Sequence, residues 1–594
     1  MCGIVGFIGK NPERVLVDGL KRLEYRGYDS AGIAIKSTES IELFKAKGEI
    51  KNLEQVIIPV SGAKIGIGHT RWATHGKPDK TNAHPHISSN KDWAVVHNGI
   101  IENYLELKTK LAGLGYNFYS ETDTETVAKL LEYYFKNDGN EMSALNKTVS
   151  ALKGSYALGI IKQDKSAIYF AKNKSPLYIA RHGKEIMLAS DIICFKGFAE
   201  EYYALTDGIF GYATEDDIVF YDKLGKTSVS PVPLDLIEYD NLNTYKHFML
   251  KEIFDTKTAL KNILEYYSET ANCEKINAET VSRIKRVKFV GCGTAYHACL
   301  IGAEMFCEKT GIEAIAYVAS EFRYSKVQLG TDTMVVLVSQ SGETADTLAA
   351  FELAKESGAF TVAIVNVEYS TLAKRAEVYF PIKAGVEIAV ASTKAFSAQL
   401  SVLNVFAGIF AQKIGKSVQP VADLRKLYDN FDYGNMNDFR LLADALRYND
   451  KLFMIGRGVD YYVAQEASLK IKETSYINSN TYYAGELKHG FLALIDEQTY
   501  VVVFATDKNI LSKTLCNAEE AKARGGKNIL CTCFDLSPTD AENFYYVIKV
   551  KDIGNSLQAV LNIIPWQTIA YYISIYKGLN PDKPRNLAKS VTVE

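Results

Sequence analysis

Lys288-Phe-Val-Gly-Cys-Gly293 is the stretch that decides the fold of the C-terminal half of the chain, because it occurs twice. The second copy, Phe453-Met-Ile-Gly-Arg-Gly458, has the same run of apolar residues followed by a Gly-x-Gly turn. A short apolar run that ends in a glycine turn and leads into a helical pattern is typical of a buried strand in a parallel sheet. The two copies therefore predict parallel α/β structure.

The segments that follow the two copies also match each other. Thr333–Val338 is repeated as Thr499–Phe504, and Thr361–Asn366 is repeated as Lys527–Thr532. The offset between the copies stays at roughly 165 residues, which is far longer than the period of a solenoid. We therefore predict two tandem copies of one α/β domain.

The N-terminal part of the chain has short alternating segments separated by glycine-rich turns. Lys64–Gly68, Trp93–Val96 and Ala157–Ile161 are examples, and helical patterns occur at Pro12–Leu23 and Thr124–Phe135. This mixture predicts an α+β layered domain with mostly antiparallel sheet.

The composition is that of an ordinary globular protein, with 594 residues of which 47% are apolar and 23% charged. A net charge of −2 argues against a nucleic-acid or membrane partner recognised through bulk electrostatics. No apolar run approaches the roughly 18 residues of a membrane span, and we expect no secretory signal. The nine cysteines form no Cys-x-x-Cys pair, so we expect reduced thiols in a cytoplasmic protein.

A cysteine follows the initiator methionine in the opening stretch Met1-Cys2-Gly3-Ile4-Val5-Gly6. Removal of Met1 would expose Cys2 with a free α-amine, whose ordinary pKa is about 8. That amine can act as the base for its own thiol, so that nucleophile and base belong to one residue. The alternative is a structural thiol at the start of a strand, and Cys2 alone does not distinguish the two.

Three polar segments add the groups that a pocket for a zwitterionic amino acid needs. Arg71 offers a guanidinium that can grip a carboxylate through two hydrogen bonds. Asn98 and Gly99 offer an amide and an N–H group suited to an oxyanion hole, and Glu121–Thr124 offers a carboxylate for an ammonium group. Each is ambiguous alone, since Arg71 could belong to a surface ion pair and His97 could be a hydrogen-bonded core histidine.

These segments resemble class II glutamine amidotransferase domains, which have the N-terminal-nucleophile fold, a four-layer αββα sandwich. The matching segments are Cys2–Gly6, Arg26–Ala31, His69–His75, His97–Gly99 and Glu121–Asp123. The resemblance implies that Cys2 attacks the side-chain amide of glutamine, while Asn98 and Gly99 stabilise the oxyanion. The residues implied in holding glutamine or ordering its site are Arg26, Arg71, Trp72, Thr74, His75 and Asp123, of which Trp72 would gate the passage of ammonia.

His84-Pro-His86 is the one pattern in this half that could suggest a metal ligand pair. Two histidines without further ligands are usually structural, so we expect no metal. In the C-terminal half, Gly291-Cys-Gly293 and Gly456-Arg-Gly458 begin like a dinucleotide-binding fingerprint, but neither completes it. We therefore expect no nicotinamide and no other cofactor.

Ser339-Gln-Ser-Gly-Glu-Thr344 is the most informative loop of the C-terminal half, because it follows a buried strand and precedes a helical pattern at Ala345–Lys355. Hydroxyl and backbone N–H groups at the start of a helix form a cradle for phosphate. The alternative is an ordinary helix cap with a capping glutamate. The matching loop of the second copy, Ala505-Thr-Asp-Lys508, lacks the serines and adds an acid, so we expect phosphate binding in the first copy only.

Glu466, Lys470 and Glu473 have the spacing of one helix face, which a solvated ladder of ion pairs would also explain. The C-terminal half nevertheless resembles the tandem sugar isomerase (SIS) domains of the glutamine–fructose-6-phosphate aminotransferase family. The matching segments are Ser339–Thr344, Val390–Phe396, Lys470–Glu473, Gly485–Gly490 and Pro584–Glu594. Both resemblances together cover essentially the whole chain. They imply an enzyme that hydrolyses glutamine and transfers the ammonia to fructose 6-phosphate, isomerising the product to glucosamine 6-phosphate.

The same resemblance implies roles for individual residues. Lys589 would form a Schiff base with the open-chain ketose, and Glu473 would move a proton between C1 and C2. His489, from the neighbouring subunit of a homodimer, would open the sugar ring. The residues implied in binding the sugar phosphate are Thr294, Ser339, Gln340, Ser341, Thr344, Val390, Lys470 and Ala588. Judged without the resemblance, a lysine so near the C-terminus is usually a solvated charge.

Two positions depart from the family pattern. Ala295 stands where the family usually has serine, and Phe491 stands where it commonly has proline. Neither change removes a group that makes or breaks a bond, so we expect an effect on affinity more than on activity.

Three other functions are open at this stage. The first is an amidotransferase with another acceptor, such as a phosphoribosyl donor, against which the Ser339–Thr344 loop argues. The second is a non-catalytic sugar-phosphate sensor, against which intact Cys2, Glu473 and Lys589 argue. The third is a deglycating isomerase, which would have no use for a glutaminase half.

We expect five segments along the chain. A glutaminase domain occupies residues 1–239 and a linker occupies residues 240–248. The first SIS domain, which binds phosphate, occupies residues 249–430, and the second occupies residues 431–583. A tail at residues 584–594 closes the sugar site.

Overall fold

Alternation of apolar and polar residues builds the N-terminal part of the chain into antiparallel sheet, and buried apolar strands build the rest into parallel sheet. The computed structural model describes residues 2–72, 76–234, 242 and 244–591. It has two compact units, formed mainly by residues 1–239 and by residues 240–589, which we call the N-terminal and C-terminal units.

The described part of the N-terminal unit has strands and helices of modest length. Its strands are β1 (Gly3–Ile8), β2 (Ser30–Lys36), β3 (Ile41–Lys47), β4 (Ile65–Arg71), β5 (His86–Ile87), β6 (Trp93–Ile101), β7 (Gly154–Lys162), β8 (Ile168–Asn173), β9 (Tyr178–His182), β10 (Glu185–Ala189), β11 (Glu201–Ala204), β12 (Phe210–Ala213), β13 (Ile218–Asp222), β14 (Gly225–Thr227) and β15 (Pro231–Pro233). Its helices are α1 (Pro12–Leu23), α2 (Ile50–Glu54), α3 (Tyr104–Gly113), α4 (Thr124–Asp138) and α5 (Glu141–Ala151), with 3₁₀ turns at Glu24–Arg26 and Ile192–Phe195.

The strands form two sheets that pack face to face. The first has the order β15-β11-β9-β10-β1-β4-β2-β3 and the second the order β14-β13-β12-β8-β7-β6-β5. Ile4 and Ile67 of the first sheet share one buried cluster with Val96 and Ile161 of the second. Helix α1 packs on β1 and β4, while α3, α4 and α5 share a second buried cluster with the other sheet. These layers confirm the predicted αββα sandwich.

Strand β6 is longer than the sequence predicts. Apolar alternation indicates a strand over Trp93–Val96, but pairing with β7 continues to Ile101. The pattern breaks at His97-Asn98-Gly99 because these residues are polar or lack a side chain, whereas the backbone ladder does not depend on side chains. The break in the pattern therefore marks the site and not the end of the strand.

The C-terminal unit repeats one order of elements. The first copy has α6 (Phe248–Phe254), α7 (Thr256–Ser268), α8 (Thr270–Cys273), α9 (Ala278–Arg283), β16 (Arg286–Gly291), α10 (Thr294–Thr310), β17 (Ala314–Val318), α11 (Ala319–Phe322), β18 (Thr333–Ser339), α12 (Ala345–Glu356), β19 (Phe360–Val365), α13 (Thr371–Arg375), β20 (Val378–Pro381), α14 (Lys394–Lys413) and α15 (Ala422–Asp429). The second copy has α16 (Met436–Leu446), β21 (Lys451–Gly456), α17 (Val459–Ser475), β22 (Asn478–Tyr483), β23 (Tyr500–Phe504), α18 (Leu511–Lys522), β24 (Lys527–Thr532), α19 (Pro538–Ala541), β25 (Tyr546–Lys549) and α20 (Gln558–Tyr576), with 3₁₀ turns at Ala484–His489 and Phe491–Leu494.

Both copies form a five-stranded parallel sheet of the same topology. The strand orders are β17-β16-β18-β19-β20 and β22-β21-β23-β24-β25, so the first strand of each copy lies second in its sheet. All the pairs in both sheets are parallel. The tandem α/β fold predicted from the repeat is confirmed, and α10 of the first copy packs against α17 of the second.

Helix α14 is long and apolar enough to cross a membrane by length and composition alone, but 94% of its 18-residue apolar window is buried inside the C-terminal unit. It is a core helix. Phe406 on α14 is fully buried and packs its ring against Phe289, Phe306 and Phe380. This aromatic cluster joins α14 to the first parallel sheet.

Phe406→Ala tests the importance of that cluster. We expect the change to lower the free energy of unfolding of the C-terminal unit by about 3–5 kcal/mol, because it removes buried surface and leaves a cavity. Thermal and denaturant unfolding would measure the loss. Leu441→Ala is the control, since the Leu441 side chain is 66% exposed and should cost little. Equal stabilities of the two variants would contradict this account of the core.

Candidate functional site

Cys2 lies directly before β1 and is held by Trp72, the residue after β4, and by Asn98 of β6. Its Sγ accepts a hydrogen bond from the Trp72 backbone N–H at 3.2 Å, and its carbonyl oxygen accepts one from Asn98 Nδ2 at 3.0 Å. Burial raises the pKa of the Cys2 thiol above its ordinary value. The thiol is therefore protonated at neutral pH and needs a base before it can act as a nucleophile.

The orientation of the Asn98 amide is set by a buried histidine. His69 Nε2 lies 2.9 Å from the carbonyl oxygen of His97 and 3.1 Å from Asn98 Oδ1. Since a carbonyl oxygen only accepts, Nε2 carries the proton and donates to both. Burial lowers the pKa of His69 to about 3, so the ring is neutral. Asn98 Nδ2 is thereby turned towards Cys2. His69 opens the His69–His75 segment, but the sequence alone indicates no role for it.

Gly99 follows Asn98 on β6 and has a conformation that favours glycine. Its φ is +130°, and a Cβ at this position would lie 2.1 Å from the Ser155 carbonyl oxygen. A side chain is therefore excluded by two independent constraints. The position next to Asn98 remains bare backbone, as an oxyanion hole requires.

Arg71 and Asp123 are buried charges in the same unit. Arg71 is 3% exposed, so a surface ion pair is the wrong interpretation of it. Its guanidinium donates to the carbonyl oxygens of Lys77 at 3.2 Å and Gly76 at 3.4 Å. Asp123 precedes α4, and its Oδ2 accepts from the Ile101 N–H at 2.8 Å. Both side chains are held by backbone contacts.

The other residues predicted to order the glutamine site have separate contacts. Arg26 is 8% exposed and forms an ion pair with Asp191. The ring of Trp72 meets the ring of Tyr28 edge to face at 6.0 Å. Thr74 and His75 lie outside the described residues.

The two histidines of His84-Pro-His86 are buried hydrogen-bonding residues. His86 lies 3.1 Å from the Tyr119 hydroxyl and 3.0 Å from Thr122 Oγ1, and the ring of His84 stacks on His69 at 4.1 Å. Burial holds the pKa of both rings well below the usual range, so they are neutral. Within the part of the chain that the structure describes, no group of three or more His, Cys, Asp or Glu side chains is arranged to hold a metal.

The Ser339–Thr344 loop joins the end of β18 to the start of α12. Ser339 Oγ accepts from the Gly342 N–H at 3.0 Å. Gly342 has a φ of +65°, and a Cβ there would lie 2.1 Å from Ser370 Oγ, so only glycine permits this turn. Thr344 makes no side-chain hydrogen bond that caps α12, and Glu343 Oε1 accepts from the Thr371 N–H at 2.6 Å instead. The ordinary helix cap is therefore not what this loop forms.

The matching loop of the second copy is occupied by a carboxylate of the chain itself. Asp460 lies in the first turn of α17, at the position that Ala295 has in α10. It accepts from the backbone N–H of Thr506 at 2.7 Å and from its hydroxyl at 2.5 Å. Asn562 Nδ2 donates to Thr506 Oγ1 at 2.7 Å. An internal carboxylate thus uses the donors of this loop, whereas the first copy has the small, buried Ala295 at the matching position.

Helices α10 and α17 bring a charged cluster together where the two copies meet. Lys470 is fully buried, and its Nζ lies 2.7 Å from Glu473 Oε2, 3.3 Å from Glu466 Oε1 and 3.0 Å from Thr294 Oγ1. Although burial alone would lower the pKa of Lys470, the two carboxylates raise it above its ordinary value. His297 Nδ1 lies 2.7 Å from Glu466 Oε2. A solvated ladder of ion pairs is therefore wrong for these residues.

The segment before α14 encloses the side chain of Lys589. That side chain is 3% exposed, and it forms an ion pair with the fully buried Glu387. Its Nζ also donates to the Ala389 carbonyl oxygen at 2.8 Å and to Ser392 Oγ at 3.2 Å. Its position near the C-terminus suggests that Lys589 is a solvated charge, but in the structure its side chain is buried and paired.

Three parallel strands of the first sheet end beside these groups. Strand β16 ends at Gly291, shortly before Thr294, and β18 ends at Ser339. Strand β20 ends at Pro381, and the chain then runs through Glu387. Because parallel strands have their carboxyl ends at one edge of the sheet, all three groups lie on that edge, where open α/β sheets bind ligands.

The remaining predicted residues lie in loops. Val390 N donates to the carbonyl oxygen of Asp582 at 3.0 Å, which fastens the segment before the tail, and Ala588 precedes the buried Lys589. His489 ends a 3₁₀ turn and is exposed, while Phe491 stacks on Tyr482.

Comparison with known proteins agrees with this arrangement. Residues 281–408 and 445–577 match the SIS domain family, and residues 69–197 match the glutamine amidotransferase domain family. A glutamine–fructose-6-phosphate aminotransferase (isomerizing) of Caldanaerobacter subterraneus subsp. tengcongensis is 43% identical over 615 residues, covering 100% of both chains. The enzyme of the same name from Clostridium tetani is 41% identical over 614 residues, again covering 100% of both chains.

A solved structure also matches the C-terminal part. It is the C-terminal domain of glucosamine-fructose-6-phosphate aminotransferase from Francisella tularensis, 31% identical, with a TM-score of 0.53. The match covers 58% of this chain and 100% of that one. Since relatives at this level of identity match it from end to end, the chain belongs to the glutamine–fructose-6-phosphate aminotransferase (isomerizing) family.

Proposed function

We propose that this chain hydrolyses glutamine at Cys2 and transfers the ammonia to fructose 6-phosphate, isomerising the product to glucosamine 6-phosphate at the start of hexosamine synthesis. One observation carries the proposal. A single chain has a half-buried thiol beside an oriented amide in one unit, and a loop with serine and threonine hydroxyls together with a buried lysine in the other. The names of its full-length relatives support the same pair of substrates.

The glutaminase reaction begins with the thiol. Removal of Met1 frees the α-amine of Cys2, which takes the thiol proton and so overcomes the raised pKa. The thiolate attacks the side-chain amide carbon of glutamine, and Asn98 Nδ2 and the Gly99 N–H stabilise the oxyanion. The α-amine then gives its proton to the leaving ammonia, and water hydrolyses the thioester to glutamate.

Glutamine is held by charges of opposite sign. Arg71 binds its α-carboxylate and Asp123 its α-ammonium group, with Thr74 and His75 completing the pocket. The contacts that already fix both charged side chains keep them oriented before glutamine arrives. Arg26 orders the surrounding loop through Asp191, and Trp72 gates the ammonia.

The sugar reaction uses the three groups at the edge of the first parallel sheet. The Ser339–Thr344 loop binds the phosphate through Ser339, Gln340, Ser341 and Thr344, with Thr294 nearby. The internal carboxylate of Asp460 supports the view that only one copy binds phosphate. Val390 and Ala588 contact the sugar.

Bond changes in the sugar are assigned to Lys589, Glu473 and His489. Lys589 captures the open-chain ketose as a Schiff base, and Glu473 moves the proton between C1 and C2. Lys470, 2.7 Å from Glu473, holds that carboxylate in place. His489 opens the ring in the site of a second copy, and its exposure in the single chain suits such a role.

The glutaminase comprises residues 1–239, and a linker comprises residues 240–248. The two SIS domains comprise residues 249–430 and 431–583, and the tail that closes the sugar site comprises residues 584–594. The enzyme acts as a homodimer in the cytoplasm, with no nucleic-acid or membrane partner and no metal or other cofactor.

Cys2→Ala tests the first half of the proposal. We expect glutamine hydrolysis to fall by at least about a thousandfold, because the covalent nucleophile is gone. Interconversion of fructose and glucose 6-phosphates should persist, since its groups lie in the other unit. Assays of glutamate release and of hexose-phosphate isomerisation would measure both. Cys516→Ala removes an exposed thiol and is the control. Loss of both activities in a folded Cys2→Ala protein would count against separate sites.

Lys589→Arg tests the second half. Arginine keeps the charge but cannot form an imine, so synthesis of glucosamine 6-phosphate should be lost while glutaminase activity remains. Borohydride added with fructose 6-phosphate should leave a hexitol phosphate on the wild-type peptide that contains Lys589, detectable by mass spectrometry. Lys577→Arg, at an exposed lysine after α20, is the matched control. An adduct on another lysine, or full synthase activity in Lys589→Arg, would refute the assignment.

A further inference from the structure

The Lys589 ammonium has an acceptor for each of its three protons. Glu387 supplies a carboxylate, Ala389 a carbonyl oxygen and Ser392 a hydroxyl. Nζ is therefore charged and fully hydrogen-bonded, without a lone pair for attack. Before it can capture a carbonyl carbon it must give a proton to one of these neighbours, and only Glu387 is basic enough to take it.

The Glu387 carboxylate is itself held rigidly. Oε1 accepts from the backbone N–H groups of Thr393 at 2.9 Å and Ala395 at 3.0 Å, where α14 begins. Oε2 accepts from Ser392 Oγ at 2.9 Å as well as from Lys589. Burial raises the pKa of Glu387, but the Lys589 charge and these hydrogen bonds outweigh it and keep the pKa below its ordinary value. Glu387 is thus an oriented carboxylate whose position does not depend on Lys589 alone.

A second buried carboxyl group, that of Glu252, lies beside this pair but forms no ion pair with Lys589. Glu252, on α6, accepts from the N–H groups of Ile388 and Ala389. Burial and the nearby Glu387 charge raise the pKa of Glu252 well above its ordinary value, which favours the protonated form. The cluster of Glu252, Glu387 and Lys589 then contains one negative and one positive charge.

The other charged groups near this cluster are paired among themselves. Lys394 Nζ, at the start of α14, lies 3.3 Å from Asp255 Oδ2, and Lys251 Nζ of α6 lies 2.7 Å from the same oxygen. Both lysines are buried. Glu387 is therefore the carboxylate that both contacts Lys589 and balances its charge.

We propose that Glu387 is the proton carrier and counter-ion of Lys589 during Schiff-base formation with the ketose phosphate. The proposal rests on the role proposed above for Lys589. Glu387 lies three residues before the Val390–Phe396 motif, and the sequence alone indicates no role for it.

The step balances without any further reactant. Glu387 takes one proton from the Lys589 ammonium, and the free amine attacks the ketose carbonyl carbon. A second amine proton passes to the carbonyl oxygen, which gives a neutral carbinolamine. Glu387 then returns its proton to the hydroxyl, water leaves and the nitrogen becomes an iminium cation. The cation and the carboxylate are restored at the same two positions, so no charge is left unpaired in the buried site.

Glu387→Gln separates this role from simple support of the fold. A buried amine without a counter-ion favours its uncharged form, but in this variant the acid for loss of water must come from solvent. Borohydride-trapped adduct from fructose 6-phosphate should therefore fall by at least about a hundredfold at pH 8, the order of a lost general acid. It should also decline by about tenfold for each pH unit between pH 6 and 8, whereas the wild type should be nearly flat.

Two further variants complete the experiment. Glu252→Gln removes the neighbouring carboxyl that does not contact Lys589, and it should keep the flat profile of the wild type. Glu387→Asp keeps an acid one carbon further away, so it should give several-fold less adduct with a flat profile. Glutamate release and thermal melting of each variant report whether it is folded. If Glu387→Gln does not fold, the test depends on Glu387→Asp. An adduct yield in Glu387→Asp equal to that of the wild type would then overturn the proposal.

The possible outcomes distinguish the role of Glu387 from that of Lys589. Wild-type adduct on Lys589, with an unchanged yield and profile in Glu387→Gln, would overturn the role of Glu387 and leave that of Lys589 intact. An equal loss at every pH would assign Glu387 to support alone and also overturn the proposal. No wild-type adduct on Lys589 would overturn the proposed function of that lysine, and with it the role of Glu387.

Discussion

A buried ammonium is costly unless a carboxylate lies beside it, and Lys470 and Lys589 are two buried lysines of the C-terminal unit that meet this requirement. Lys470 is enclosed by Glu466 and Glu473, and Lys589 by Glu387. Losing one partner of a buried pair costs about 3–5 kcal/mol, since the other charge remains without compensation. The pairs therefore determine where the helix α17 and the tail as far as Lys589 can lie, and both positions contribute to the proposed sugar site.

Duplication of one domain supplied two similar sheet edges, and the two have diverged. The first copy has a loop of serines and threonine with a glycine that admits no side chain, followed by a helix whose first turn has Ala295. The second copy has Asp460 at the matching position, bound by Thr506. In the second copy a carboxylate of the chain itself therefore binds the loop, whereas the first copy has no carboxylate at the matching position. This asymmetry explains why a symmetric fold has one proposed phosphate site.

Much of this was predictable from the sequence because it depends on local patterns. The tandem sheets follow from apolar runs that recur with glycine turns, and the sandwich follows from alternation, although β6 extends through polar residues that break the pattern. Cys2, the Ser339–Thr344 loop and Lys589 are carried by continuous motifs. The partners that orient these residues lie far away in the sequence and belong to no common motif. Glu387 is 202 residues from Lys589 and His69 is 29 residues from Asn98, so only the fold shows which buried polar groups meet.

The proposed function requires that one chain passes nitrogen from glutamine to a sugar phosphate. The most direct test is to incubate the pure protein with fructose 6-phosphate and glutamine labelled with ¹⁵N in its side-chain amide, and to analyse the products by mass spectrometry. We expect glucosamine 6-phosphate that contains the ¹⁵N label, formed together with one glutamate for each sugar. Release of glutamate without a labelled amino sugar, or an amino sugar without the label, would contradict it.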